Sequence, residues 1–411
     1  MSFINLKGRC TIVYTIRVLE FNPAIYGLVG SSPATEQLVE QLCSLYCGTI
    51  AAEFMHFTSM EEREWFSQSF EQVQSKEVSR KDQRKIVELM LKSQNFDNFL
   101  AQHFPNVLRY GAEGVESMFA FLYGLFNEAP HNKVEQIIVG MTHRGRVDVL
   151  TQLMQFPPVQ MFRKMRGMPE FPADVDGNGD LHHHLAASID YKTSHGTVHV
   201  SILPNPSHLE AVNSVTMGKA RGRSCTLGLG DYGDYADGSQ VGDGVLCVQI
   251  HGDGAFTGQG VAWETLSLSQ CPHFRLGGSI HLVLNNQIAC ATDGIIGRST
   301  VHCTDLAKAI GSPVIYVNGD HPDQLVRATR LAFDYRQKFR KDVFINLTCY
   351  RRWGHHELDN PHLTQPIMYR EIDSHESVPD RYKKKLITEG VLSEEECEKI
   401  VDEHTESLMK D

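Results

Sequence analysis

The 411-residue chain has no run of roughly 18 consecutive apolar residues, so no segment is expected to cross a bilayer as a helix. It is short of basic charge: 39 lysines and arginines face 50 acidic residues, for a net charge of −11. That balance argues against nucleic acid or an anionic membrane as the main partner. Cys43 and Cys47 form a Cx3C pair, but no second Cys or His pair lies nearby at metal-ligand spacing, which argues against zinc there. No internal repeat occurs. The first 19 residues lack any acid and carry Lys7, Arg9 and Arg17. A basic, acid-poor start suits an organelle transit peptide. Its shortage of serine and its β-branched residues suit a strand equally well. Residues 1–34 are set apart as an N-terminal segment, either disordered or targeting.

What is present reads as an ordinary globular chain, 41% hydrophobic and 22% charged, long enough for one large domain or two to three modest ones. Its ten cysteines are scattered, and Cys247 and Cys349 sit inside apolar runs. That pattern suits reduced, buried thiols in an intracellular protein. Residues 35–130 read as a helical region. Ser59 with Glu62 offers a capping box, and "KDQRKIVELMLKSQNFDNFLAQHF" has helical apolar spacing.

From about 134 the pattern changes. "QIIVG", "TVHVSIL", "GVLCVQI", "SIHLVLNN", "SPVIYVNG" and "VFINLTCY" are short apolar runs separated by helical segments. Nearly continuous apolar strands imply burial on both faces. The expected fold class is therefore α/β, a mainly parallel sheet with helices on both sides, over residues 131–380. A charged helical tail follows over 381–411, with Ser393 and Glu396 as another capping box. "GLGDYG" (228–233) matches the dinucleotide pattern literally, but no buried strand leads in and no amphipathic helix follows. It is read as a false positive.

Two strand ends carry the chemistry. The run ending at Ile250 leads into "HGDGAFTGQG", and the run ending at Leu284 leads into "NNQIACATD". A strand–helix–strand crossover makes these strands parallel neighbours, so Gly-Asp-Gly and Asn-Asn meet at the carboxyl edge, where open α/β sheets bind ligands. A carboxylate, an amide oxygen and a backbone carbonyl suit a hard cation such as magnesium, whose remaining positions a diphosphate and water can fill. The glycines admit phosphates to the backbone, and a helix N-terminus near Gly260 favours their charge. Either motif alone would pass for turn capping, since Asp, Asn and Gly dominate turns. Both together, thirty residues apart at adjacent strand ends, favour a cofactor site.

This Gly-Asp-Gly to Asn-Asn spacing resembles the thiamine-diphosphate signature of the transketolase and 2-oxo acid dehydrogenase superfamily. Five longer stretches resemble its 2-oxoglutarate dehydrogenase branch, the decarboxylating component: "LYCGTIAAEFMH", "MTHRGRVDVL", "NPSHLEAV", "HGDGAFTGQG" and "CYRRWGHHELDNPHLTQPIMY". "RYGAEGVES" and "QFPPVQMFRKMRGMPEFP" look closer to the 2-oxoadipate-type paralogue. The resemblance runs from about residue 35 to the end. It implies oxidative decarboxylation of a dicarboxylic 2-oxo acid, with acyl transfer to a lipoyl group on an acyltransferase partner. It also implies thiamine diphosphate and Mg2+ as cofactors, a homodimer, and a mitochondrial location.

The same resemblance assigns roles. Asp253, Asn286 and the carbonyl of Ile288 match the magnesium ligands. Arg144 matches a diphosphate-contacting arginine, whose planar fork suits a phosphate. Ser207, Leu209, Gly254 and Ala255 fall on the cofactor side. His143, His184 and His208 each follow or approach a strand end, and the family reading gives them to the substrate and to catalysis. Histidine suits that task because it donates hydrogen bonds and gains charge near neutral pH. Tyr110 joins them on the substrate side, and follows the oxoadipate-type pattern.

The chain departs from the pattern at His182-His183, at His356 and Asn360, and in "IACATD" after the Asn pair, which leaves the choice between 2-oxoadipate and 2-oxoglutarate open. Two other readings compete: a non-catalytic cofactor- or partner-binding relative, and a zinc hydrolase built on His182–His184. The last is disfavoured, because consecutive histidines cannot all point one way. Members of the family continue into a second sheet domain that holds the aminopyrimidine and supplies its activating carboxylate. No second strand-rich half follows Tyr350. The 411 residues are therefore expected to be an N-terminal fragment, inactive alone, with an apolar patch that favours self-association.

Overall fold

The apolar runs form strands whose alternate residues feed opposite faces of one sheet. The computed structural model describes residues 42–411 except 44, 170, 178, 234, 236 and 237. The strands are β1 (Ile50–Glu53), β2 (Gln136–Met141), β3 (Ala187–Thr193), β4 (Gly196–Ile202), β5 (Val245–Gly252), β6 (Ser279–Asn285), β7 (Ile288–Ala289), β8 (Thr292–Asp293), β9 (Val314–Asn318) and β10 (Val343–Thr348). β7 and β8 pair by themselves; the other eight form one sheet in the order β1-β9-β10-β6-β5-β2-β4-β3. From β9 across to β4 every pairing is parallel, and only the edge strands β1 and β3 run antiparallel to their neighbours. This is the mainly parallel α/β sheet that the apolar runs imply.

Alternation explains why both faces are covered. Ile137 and Val139 of β2, and Leu246, Val248 and Ile250 of β5, enter the large core. Their neighbours Ile138, Val245 and Cys247 pack on the opposite face against Val212, Met217 and Ala220. Along the chain, the longer helices are α1 (Met60–Ser75), α2 (Arg80–His103), α3 (Met118–His131), α4 (Pro158–Met165), α5 (Ala211–Thr226), α6 (Asp253–Gly258), α7 (Gly260–Leu268), α8 (Pro322–Phe339), α9 (Pro366–Ser374), α10 (Val378–Thr388) and α11 (Glu394–Lys410). Phe66, Ile86, Phe119 and Leu331, from α1, α2, α3 and α8, join the large core, while α5 covers the other side. Ser59 caps α1 by accepting the Glu62 N–H, one half of the expected box. Ser393 and Glu396 make the full reciprocal box at α11.

Within the stretch read as helical, residues 50–53 pair with β9 as β1. Four residues carry too little pattern to announce a strand; the pairing partner makes it one. The segment 1–34 lies outside the described residues. Gly228–Gly233 falls in the irregular segment between α5 and β5, with no strand leading into it. Among the described residues Cys43, Cys225, Cys271, Cys290, Cys303 and Cys397 are free thiols, as are Cys247 and Cys349, which are buried. Among the described residues no helix is long and apolar enough to cross a membrane.

Parallel strands point their carboxyl ends one way. That single edge therefore receives His143 and Arg144 after β2, residues 203–210 after β4, Asp253 after β5, Asn286 after β6, and residues 349–360 after β10.

Candidate functional site

β5 and β6 pair with Gly252 opposite Leu284, so Asp253 and the Asn285-Asn286 pair stand at neighbouring strand ends. Asp253 is 2% exposed. Its Oδ2 has no hydrogen-bond partner, and Arg298 Nη1 stands 3.6 Å away. Burial pushes its carboxyl up to about 6, against the opposing pull of Arg298. Asn286 accepts the Ile288 N–H through its Oδ1 at 3.3 Å. Buried Asn285 donates to Asn346 at 3.2 Å while its own Oδ1 is unpartnered. Gln287 sits at φ 67°, which turns the chain sharply between Asn286 and Ile288. A Cβ on Gly254 would lie 2.3 Å from that of Ala289, so the residue must be glycine for the two segments to meet. A buried carboxylate with a free oxygen, an amide oxygen and a backbone carbonyl form a donor set that fits a magnesium ion.

A second group forms on the same carboxyl edge of the sheet. The Tyr110 ring packs edge-on against His143 at 4.4 Å, His183 at 4.9 Å and His355 at 5.6 Å. His143 and His355 are 5.7 Å apart. Burial, helped by Arg144 and the neighbouring rings, holds His143 well below the usual imidazole range. Burial likewise brings His183 and His355 down to about 4. A histidine at this position is expected to change charge near neutral pH. The packed, cation-bordered setting instead keeps its imidazole neutral there. Arg144 is buried and donates to the His355 carbonyl at 2.7 Å.

His184 takes part differently. Its Nδ1 meets Asp180 at 2.9 Å and its Nε2 meets Ser207 Oγ at 3.0 Å, which ties two expected residues together. His208 is exposed and makes no ring contact with the Tyr110 cluster, and Leu209 is half-buried beside it. The structure thus brings Tyr110, His143 and Arg144 together, joins His184 to Ser207, and leaves His208 at the surface. His182–His184 form one short 3-10 turn, and the three side chains have separate partners or neighbours. Among the described residues no cluster of three or more His, Cys, Asp or Glu is arranged to hold a metal.

The family model described as "Dehydrogenase E1 component" matches residues 123–411. The chain belongs to the dehydrogenase E1 component family. It is 55% identical over 396 residues to the Caenorhabditis elegans "Probable 2-oxoadipate dehydrogenase complex component E1 homolog", covering 95% of this chain and 44% of that protein. It is 48% identical over 366 residues to the human "2-oxoadipate dehydrogenase complex component E1", covering 89% and 40%. A Dictyostelium discoideum protein named "2-oxoglutarate dehydrogenase, mitochondrial" is more distant, 36% identical over 401 residues. The chain thus spans under half the length of these relatives.

The cluster contains residues beyond those the family resemblance singles out. His183 and His355 share the Tyr110 ring contacts, and His183 Nδ1 is unpartnered despite its burial. Arg298 faces Asp253. His355 lies inside a recognised stretch without a role, and only its place after β10, on the same sheet edge as Arg144 after β2, could single it out. Arg298 follows the one-turn helix Gly294–Gly297, which carries no pattern that singles it out.

Proposed function

We propose that this chain binds the diphosphate end of thiamine diphosphate with Mg2+. We further propose that the protein carrying it decarboxylates a dicarboxylic 2-oxo acid, 2-oxoadipate before 2-oxoglutarate, and passes the acyl group to a lipoyl-bearing partner. The observation that carries the reading is Asp253: buried, with a free oxygen, one strand away from the Asn pair and on the same sheet edge as His143. Asp253, Asn286 and the Ile288 carbonyl would hold the cation, and Arg144 would face the diphosphate. The bound cofactor supplies an electron sink for loss of carbon dioxide from the keto acid. Tyr110 and the neutral imidazoles of His143, His183 and His355 offer hydrogen bonds to the acid's carboxylates. A bound dianion favours their protonated forms, so the site can gain positive charge as substrate enters. The names of the relatives support 2-oxoadipate as the preferred acid and a place in a multi-component complex, and the more distant 2-oxoglutarate dehydrogenase, named as mitochondrial, supports a mitochondrial setting.

We propose further that the family's dimer is the working form. A polypeptide of these 411 residues should release carbon dioxide well below roughly one per second, since no counterpart of the family's activating carboxylate is recognised in it. Ile295, Ile296 and Val301 are each at least 78% exposed beside the Asp253 site, which supports association through that face.

Calorimetric titration of the chain with thiamine diphosphate tests the cofactor reading. Binding should require Mg2+, and Asp253→Ala should remove the Mg2+-dependent part. Equal affinity in parent and variant, or indifference to EDTA, would sink it.

A further inference from the structure

Tyr110 adopts φ 52°, a left-handed conformation that a residue with a bulky side chain keeps only where its surroundings enforce it. The neighbouring peptides show what enforces it. The N–H of Arg109 donates to Glu357 Oε2 at 3.0 Å, and the N–H of Gly111 donates to Glu357 Oε1 at 3.0 Å. The Tyr110 carbonyl accepts the Gly145 N–H at 2.8 Å. Glu357 thus spans Tyr110, taking the amides on either side of it, while the turn after His143 and Arg144 holds the carbonyl between. The next amide, Ala112, donates to Asp97 at 2.7 Å. A Cβ on Gly111 would lie 2.5 Å from Asp97 Oδ1, the carboxylate that holds the Ala112 amide, so glycine lets the loop approach Asp97 this closely.

The side chain of Glu357 is 7% exposed, and the Arg109 guanidinium lies 3.9 Å from it, which offsets the burial of its charge. Two backbone donors on one carboxylate are charge-assisted bonds with a fixed separation. Glu357 also belongs to the segment whose His355 carbonyl accepts from Arg144. One short stretch after β10 therefore fastens both the expected diphosphate arginine and the loop bearing Tyr110.

We propose that Glu357 is a positioning residue for the 2-oxo acid: its carboxylate sets the Tyr110 backbone so that the ring stands against His143 and His183. This rests on reading Tyr110 and His143 as the substrate side. Glutamine has nearly the shape of glutamate, but it offers only one acceptor oxygen and turns an NH2 toward the second amide donor. In Glu357→Gln one of the two grips is lost and the ring is released.

Steady-state kinetics on the full natural chain should show KM for the acid rising about tenfold or more in Glu357→Gln, with kcat changing less and thiamine diphosphate affinity unchanged. Tyr110→Ala should raise KM similarly, and the double variant should be no worse than Tyr110→Ala alone. The ring-proton NMR signal of His143, which lies against the Tyr110 ring, should move in the same direction in Glu357→Gln and Tyr110→Ala. Additive effects on KM, or an unchanged KM in Glu357→Gln beside a raised one in Tyr110→Ala, would overturn the proposal and leave the substrate reading standing. Unchanged KM in both Tyr110→Ala and His143→Ala would overturn the substrate reading and the proposal with it. Should Glu357→Gln fail to fold, hydrogen exchange on the unaltered chain decides the matter. Slow exchange of the Arg109 and Gly111 amides supports the grip, and fast exchange of both removes it.

Discussion

Arg298 Nη1 stands 3.6 Å from Asp253 Oδ2, and both side chains are largely buried, at 15% and 3% exposure. The distance is too long for a hydrogen bond but close enough for charge to matter. Arg298 therefore compensates a carboxylate that burial alone would drive further toward its neutral form. Replacing it by methionine should destabilise the chain by about 1–3 kcal/mol. Divalent cation should then restore more of the stability in Arg298→Met than in the parent, because the metal takes over the role of countercharge. Thermal unfolding with and without Mg2+ reads both effects. An equal Mg2+ shift in parent and variant would separate Arg298 from the cation site.

Gly254 and Ala289 make a sharper test of the same corner. A Cβ at 254 would meet the Ala289 Cβ at 2.3 Å, far inside contact distance. Gly254→Ala should cost about 1–3 kcal/mol, as overpacking does, and should weaken thiamine diphosphate binding. Adding Ala289→Gly removes the obstructing carbon, so the double variant should recover most of the loss. Chemical denaturation of the four chains in a mutant cycle measures the recovery. Strictly additive losses would mean that the two segments do not meet as described.

The six parallel strands were legible because burial on both faces leaves them almost uniformly apolar, as in β5 and β6. The edge strands were not. β3 alternates between half-buried and exposed residues and includes Asp190 and Lys192, so its state depends on pairing with β4. β1 is only four residues long. In the site, residues with a fixed offset from a strand end could be placed: Asp253, Asn286, His143 and Arg144. Residues brought in by loops could not. His355 and Glu357 reach the edge through an irregular segment, and Arg298 through a one-turn helix, Gly294–Gly297, too short for any periodicity to announce. The neutral state of His143 was also invisible, because it follows from burial beside Arg144, and a sequence does not display burial of a turn.

His143 and His208 should separate chemistry from cofactor binding. Each is expected on the substrate side, so alanine at either position should lower turnover while leaving thiamine diphosphate affinity near the parent value. His143→Ala should have the larger effect, roughly 10²-fold or more if the imidazole moves a proton, because His143 is packed against Tyr110 whereas His208 is exposed. Kinetics on the full natural chain, with calorimetry for the cofactor, would show the split. Unchanged turnover in both variants would return the two histidines to a structural role.

Glu116 gives the fold its own pH signature. It is 1% exposed, and burial pushes its carboxyl from 4.5 up to about 8, even though the Gly114 N–H donates to it at 2.8 Å. Its neighbour Glu113 adds to the rise, while Arg352 opposes it. The folded chain therefore keeps a proton that the unfolded chain has lost between about pH 4.5 and 8. Over that window the unfolded state binds fewer protons than the folded one, so stability contributed by neutral Glu116 is complete below about 4.5 and drains away as pH rises toward 8. Glu116→Gln cannot ionise, yet its carbonyl oxygen can still accept the Gly114 N–H. The variant should gain on the parent steadily as pH rises, by a few kcal/mol at most near pH 8. Burial raises Asp97 and Asp148 as well, so the variant should retain part of the slope. Urea unfolding of both chains at several pH values between about 5 and 8.5 measures the difference. Curves that fall in parallel would show that Glu116 is already ionised in the folded chain, with a countercharge closer than the Arg352 guanidinium.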